Sequence, residues 1–214
     1  MKGNKKMKTT HVMTNVVLAA VIGIFVFGGC GGVTQSRTGF LSDYSRLKEV
    51  SNENYRYVDE RAVDKYSAFI VDEVKVHFFT GASAVKTKSE GKITTQDLKD
   101  LTNYFHSAIV KAISDSGRKV VYQAGPGVAR IRVALTDIKE TGALNVLPQA
   151  SLLGAGIGGA AMEAEVIDSV TGKQIGAVVE ARKGSRVPFS NLGDWGTAKG
   201  IMDHWANRLK EKLE

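Results

Sequence analysis

The fold is decided by residues 162–179, which read Met-Glu-Ala-Glu-Val-Ile-Asp-Ser-Val-Thr-Gly-Lys-Gln-Ile-Gly-Ala-Val-Val. Apolar residues alternate with Glu163 and Glu165 in the first half, which is typical of a strand with one buried and one wet face. Thr171-Gly172 marks a turn before a second apolar strand, so the stretch predicts a β-hairpin. If Asp168 pairs with Lys173, the expected register places Val166 opposite Ile175, Ala164 opposite Ala177 and Met162 opposite Val179.

Two other segments show the spacing of three and four residues that is typical of amphipathic helices. The first has Thr94 as its capping candidate and ends near Gly117, which favours a left-handed cap. The second is expected from about Asp194 to near the C-terminus. The apolar stripes are Leu98, Leu101, Phe105, Ala108, Ile109 and Ala112 in the first helix and Ala198, Met202, Trp205, Leu209 and Leu213 in the second.

Three more strands are predicted before the hairpin. They begin at Phe69, at Val120 and, after the turn Gly125-Pro126-Gly127, at Val128. We find no single period in residues 43–65, which we expect to wrap around the edge of the domain. The order of elements predicts an α+β fold, in which a mainly antiparallel sheet carries two amphipathic helices packed on one face.

The opposite face of the sheet is expected to carry charge. Arg130 and Arg132 share the less apolar face of their strand. If this strand neighbours the hairpin, the two arginines lie across from Glu163 and Glu165. The expected result is an exposed ladder of ion pairs, each of which contributes little to stability.

The N-terminus has the layout of an export signal. Four lysines precede a run of uncharged, mostly apolar residues, 16–27, which is shorter than the roughly 20 residues that span a membrane. Phe27-Gly28-Gly29-Cys30 resembles the lipobox of bacterial lipoproteins, in which the cysteine is acylated and becomes the new N-terminus. This resemblance implies cleavage between Gly29 and Cys30 and lipid on Cys30. The alternative is an ordinary secretory signal with an incidental cysteine.

The resemblance also implies a compartment and a domain layout. Gly31 stands where an aspartate resembles an inner-membrane retention signal, so we expect an outer-membrane anchor facing the periplasm. Cys30 is the only cysteine, which excludes an intramolecular disulfide. The expected layout is a signal peptide at 1–29, an acylated cysteine and flexible tether at 30–42, and a single periplasmic domain at 43–214.

The charge of the chain does not indicate a nucleic-acid partner. The formal net charge is +7, but four of the 29 basic residues lie in the signal segment, which has no acidic residue. The remaining 25 basic residues stand against 22 acidic ones. Such a small excess does not predict the basic footprint that nucleic-acid binding requires.

Several segments taken together resemble one family, the bacterial lipoproteins grouped under domain of unknown function 3313. The matching segments are residues 39–45, Lys65-Tyr66, Gly125-Pro126-Gly127, residues 162–165 and residues 168–172. They span nearly the whole chain after the cysteine. The resemblance implies a membrane anchor and an envelope compartment, and it brings no established activity.

A glycine-rich stretch, residues 154–159, formally fits the dinucleotide-binding pattern. Its context does not fit, because no buried strand precedes it and a strand pattern, instead of a helix, follows it. We interpret the stretch as part of a glycine-rich loop whose apolar members, Leu152, Leu153 and Ile157, pack into the core. The functional alternative is a loop that contacts a partner or a lipid surface.

The sequence contains no recognisable catalytic, cofactor-binding or metal-binding constellation. His77, His106 and His204 are not at the spacing of a metal site. No nucleophile elbow is present. Glu163 and Glu165 share a face and could act as paired carboxylates, but their alternation with apolar residues favours a structural role.

Three hypotheses about function follow. The first is a non-enzymatic module that binds another envelope component, probed by what co-purifies with the anchored protein. The second is a carrier of lipid or another small ligand, with an apolar cavity between sheet and helices and residues 150–160 as its gate. The third is a hydrolase that uses acidic residues. No cofactor is expected in any of them.

Overall fold

The computed structural model describes residues 37–51, 54–77, 93–139, 158–184 and 195–214. The helices are α1 (Glu60–Val63), α2 (Thr95–Asp115) and α3 (Gly196–Leu213). The strands are β1 (Lys48–Ser51), β2 (Asn54–Val58), β3 (Ala68–Val71), β4 (Lys75–Val76), β5 (Lys119–Val120), β6 (Val128–Lys139), β7 (Gly159–Asp168) and β8 (Gln174–Lys183).

These strands form one mixed, mostly antiparallel sheet. Its order is β1-β2-β8-β7-β6-β3-β5, and β4 pairs with β6 further along the same edge as β3. The pairs β3–β5, β3–β6 and β4–β6 are parallel, and the others are antiparallel. The predicted α+β class is confirmed, with a parallel part that the sequence pattern did not reveal.

Helices α2 and α3 pack against each other and on one face of the sheet, as predicted. The hydroxyl of Thr94 accepts from the Asp97 N–H at 3.1 Å, and the Asp97 carboxylate accepts from the Thr94 N–H at 2.8 Å. This reciprocal capping box fixes the start of α2. Gly117 follows α2 with φ of +80°. Helix α3 has Trp195 in its N-cap position, and Asp194 lies outside the described residues.

The β7–β8 hairpin forms, but its predicted register is wrong by one residue. The Asp168 N–H donates to the Lys173 carbonyl at 2.8 Å, as expected. A bulge beside Val166 and Ile167 then inserts one extra residue in β8. The register is therefore Val166 opposite Gly176, Ala164 opposite Val178 and Met162 opposite Glu180. Apolar residues on both faces of β8 hide this shift from an alternation argument.

The face of the sheet opposite the helices is also covered. Residues 37–47, here named the strap, lie over β7 and β8, where Leu41 packs on Ala177 and Val179. Leu41 is only 5% exposed, so packing begins before residue 43, where the sequence pattern starts the domain. Residues 43–65 then form β1, β2 and α1, which the sequence pattern did not predict because most of their residues remain partly exposed.

Candidate functional site

An apolar cavity of about 250 Å³ lies between the sheet and the helices. Strands β2, β6, β7 and β8 form its floor, α2 and α3 form its roof, and α1 lies at its side. The apolar wall residues are Tyr57, Val58, Val63, Tyr66, Phe69, Phe105, Ile109, Ala129, Ile131, Val133, Met162, Ala164, Val166, Ile175, Ala177, Val178, Trp205, Leu209 and Leu213.

The cavity exists because the helices do not cover the whole face of the sheet. Helix α3 packs on β7. Ala164, Val166 and Val178 face the same side as the core, but they remain partly exposed because the helices leave this part of the sheet uncovered. Apolar side chains that stay partly exposed in a concave wall are typical of a ligand site.

A buried ion-pair group closes one side of the cavity mouth. Glu180 is 3% exposed and receives Arg208 of α3 at 2.8 Å and Arg182 of β8 at 2.9 Å. Two guanidinium groups compensate the buried carboxylate. The Glu180–Arg208 pair ties α3 to β8 beside the opening, so the cavity has an apolar interior and a polar rim.

The second feature is a pair of buried carboxylates under the strap. Glu163 and Glu165 are 0% and 1% exposed. Arg132 does lie opposite Glu165 and forms an ion pair with it, as expected. Arg130 instead lies opposite Ile167 and pairs with Asp72 at 2.6 Å. The predicted exposed ladder is therefore wrong, because the strap excludes water from this face.

Donors from the strap satisfy both carboxylates. Glu163 accepts from the Thr38 N–H at 2.6 Å and from the Tyr44 hydroxyl. Glu165 accepts from the Ser42 N–H at 2.9 Å and from the Ser42 hydroxyl at 2.6 Å. Burial, followed by the hydrogen bond to Glu163, raises the pKa of Tyr44 above its ordinary value.

Further contacts hold the strap on the sheet. The side-chain amide of Gln174 donates to Glu165 at 2.9 Å and to the Asp43 carbonyl at 3.0 Å. Arg46 donates to the Tyr57 hydroxyl at 2.7 Å, and its guanidinium lies 4.2 Å from the Tyr57 ring centre. Both carboxylates are thus engaged in hydrogen bonds and an ion pair that fasten the strap to the sheet.

Most of the residues singled out from the sequence lie outside the described residues. These are Gly29, Cys30, Leu152, Leu153 and Ile157, and the proposed gate at 150–160 up to residue 157, whereas its last residues, from Gly159, already belong to β7. In the described ranges no three His, Asp or Glu side chains gather in a way that could hold a metal ion. No helix in the described part of the chain is long and apolar enough to cross a membrane.

Sequence reasoning missed the main residues of both features. Ser42 and Tyr44 were assigned no contact, although they belong to the segment 39–45 that carries part of the family resemblance. Glu180 and Arg208 come from different elements, and only the tertiary fold brings them together. The cavity itself was foreseen as a space between sheet and helices, but its wall residues were not.

Comparison with solved structures gives matches at low sequence identity. The PelC dodecamer from Paraburkholderia phytofirmans, in space group P6, matches over 75% of this chain and 95% of its own, with 10% identity and a TM-score of 0.45. A minor lipoprotein from Acinetobacter baumannii matches over 69% and 92%, with 8% identity and a TM-score of 0.31. Lipoprotein GNA1162 from Neisseria meningitidis matches over 69% of this chain and 99% of its own, with 12% identity and a TM-score of 0.24.

No curated protein matches the chain in sequence. Residues 36–209, which include the strap, the whole sheet and most of α3, match a family described as protein of unknown function, DUF3313. This match agrees with the resemblance stated from the five segments above, and the chain belongs to that family.

Proposed function

We propose that the protein is a lipid-anchored envelope lipoprotein whose folded domain binds an apolar chain, such as the acyl chain of a lipid, in the cavity. The observation that carries the binding role is the concave wall of partly exposed apolar side chains between sheet and helices. The role is non-enzymatic. The anchor is lipid on Cys30 of the lipobox, at the outer membrane and facing the periplasm.

The size of the cavity favours one chain over a bulky ligand. Pockets for drug-sized molecules hold roughly 300–1,000 Å³, and this cavity holds about 250 Å³. Each methylene that leaves water for the apolar wall contributes about 0.8 kcal/mol. The polar rim around Glu180 and Arg208 gives the polar end of such a ligand a place outside the apolar interior.

A fluorescent fatty acid tests the binding role. The Ala164→Phe variant places a large ring on the cavity floor, and the same change at the exposed Ala124 is the matched control. All measurements use the Cys30→Ser chain, which without a further substitution serves as the wild type and should bind the probe. Ala164→Phe should bind at least about tenfold more weakly, equal to about 1.4 kcal/mol. Ala124→Phe should bind like the wild type. Absence of binding by the wild-type chain, or equal binding by both variants, contradicts the proposal.

The anchor has a separate test. Cells that express the full-length chain are grown with labelled palmitate and then fractionated. We expect the wild-type protein to carry the label and to be found in the outer-membrane fraction. The Cys30→Ser variant should carry no label and should be missing from that fraction. Label on the Cys30→Ser protein would contradict lipidation at this residue.

A protein partner is the second candidate function, and the edge of the sheet favours it. All four residues of β1 are exposed, and Val50 is 55% exposed. An exposed edge strand is a template for pairing with another chain. A photo-crosslinking residue at Val50 should capture a defined envelope protein, whereas one at Val170, 64% exposed in the hairpin loop, should not. Equal capture at both positions would count against this candidate.

A further inference from the structure

The groups that hold the strap can exchange their hydrogen-bond partners for water when it leaves the sheet. The strap covers Glu163 and Glu165, and its N–H and hydroxyl groups take the place of water on these carboxylates. A carboxylate that is uncovered regains hydration, so opening leaves no unpaired buried charge. Closed and open straps therefore differ by the burial of Leu41 and its apolar neighbours and by the exchange of the strap's hydrogen bonds for bonds to water.

One atom of the closed strap favours opening. The hydroxyl oxygen of Thr38 is buried and has no hydrogen-bond partner in the part of the chain that the structure describes. A buried hydroxyl without a partner costs free energy that water would return. The unpaired hydroxyl thus lowers the stability of the closed strap relative to the open one. Segments of low local stability are those that open locally.

The strap also lies directly after the anchor in sequence. Six residues, 31–36, lie between Cys30 and Arg37, so the two are at most about 25 Å apart along a fully extended chain. With the strap open, the first fixed element is β1, which begins at Lys48. The 17 residues between Cys30 and Lys48 then allow a maximal reach of about 65 Å.

We propose that the strap is a length switch for the membrane anchor: closed on Glu163 and Glu165 it holds the domain against the membrane, and open it extends the tether. This inference rests on the proposed lipid on Cys30 for its membrane part. The fastening of the strap itself does not depend on lipid.

Two variants move the switch in opposite directions. Leu41→Asp removes the apolar contact with Ala177 and Val179 and places a negative charge beside the buried carboxylates, so it opens the strap. Thr38→Val removes the unpaired hydroxyl without changing the shape of the side chain, so it favours the closed strap. Val50→Asp, on exposed β1, is the matched control for Leu41→Asp.

Hydrogen exchange reads the strap directly, because the N–H groups of Thr38 and Ser42 donate to the two carboxylates. In the Cys30→Ser chain we expect both amides to be protected. Protection should fall at least about tenfold in Leu41→Asp, rise in Thr38→Val, and stay unchanged in Val50→Asp. Exchange of the wild-type amides at the rate of an unfolded peptide would overturn the proposal.

The membrane part is measured on the lipidated protein in vesicles of phosphatidylethanolamine and phosphatidylglycerol. A donor dye on Val170→Cys transfers energy to an acceptor on the lipid headgroups. We expect lower transfer for Leu41→Asp than for wild type and Val50→Asp. Equal transfer despite an open strap overturns the length switch. If the wild-type protein fails to stay on the vesicles while its strap amides are protected, the lipid anchor fails and the fastening stands.

Discussion

At the scale of single residues, Glu163 is fully buried and accepts hydrogen bonds from the Thr38 N–H and the Tyr44 hydroxyl. Glu163→Ala leaves both donors without an acceptor, at a cost of roughly 1–3 kcal/mol for each one that stays buried. Because the strap can open and hydrate them, we expect a loss of about 2 kcal/mol in the free energy of unfolding of the Cys30→Ser chain, measured in urea.

Glu73→Ala is the control for this change. Its side chain is 88% exposed and forms an exposed ion pair with Lys75, so its removal should alter the free energy of unfolding by less than about 0.5 kcal/mol. Equal stabilities of the two variants would show that the bonds of Glu163 do not hold the strap.

Asp168 gives a residue-scale prediction about pH. Hydrogen bonds from the Thr171 N–H and the Tyr66 hydroxyl lower the pKa of Asp168 to about 2. Its ionised form is therefore favoured by folding, so its contribution to stability is present above pH 3.8 and is lost as the pH falls through 2. Tyr66→Phe removes one donor, and we expect the pKa of Asp168 to rise toward its ordinary value in an NMR titration.

The comparison for this titration is Tyr122→Phe. Tyr122 is 93% exposed, so its hydroxyl should leave the Asp168 carboxyl unaffected. An Asp168 pKa that stays near 2 in Tyr66→Phe would show that the backbone of the hairpin loop alone holds the carboxylate ionised.

At the scale of elements, the capping box determines where α2 begins. Thr94→Ala removes the acceptor of the Asp97 N–H and should reduce the free energy of unfolding by about 1 kcal/mol. Thr102→Ala makes the same change inside α2, where alanine is the better helix former, and should leave stability unchanged or slightly higher. Thermal unfolding of the Cys30→Ser chain distinguishes the two, and equal losses would contradict the capping assignment.

The elements also show what sequence can and cannot predict here. Helices α2 and α3 can be predicted because each buries one stripe of a regular pattern. The register of β8 cannot, because Ile175, Ala177 and Val179 suit either face and one bulge decides between them. Glu163 and Glu165 follow the pattern of a wet face. The strap shields that face from water, and its residues show no regular apolar spacing from which this could be predicted.

At the scale of the whole molecule, the sheet separates two features. On β7, Met162, Ala164 and Val166 face the cavity, and the intervening Glu163 and Glu165 face the strap. A ligand among the helices and a tether on the opposite face therefore touch different side chains of the same strand. The fold can bind an apolar chain and adjust its own anchor mainly through side chains on opposite faces of the sheet, and Tyr57, Glu165 and Ala177 contribute to both features.

This separation leads to a prediction for the whole domain. Ser42→Ala removes a hydroxyl that bonds to Glu165 and loosens the strap, yet Ser42 itself does not line the cavity. We expect the affinity for the fluorescent fatty acid to change by less than about twofold, because a ligand shifts only equilibria for which it has differential affinity. For the same reason, bound fatty acid should not alter the exchange of the Thr38 and Ser42 amides. Reciprocal effects larger than this would instead show that β7 and β8 transmit strap opening to the cavity, since coupling between two sites acts equally in both directions.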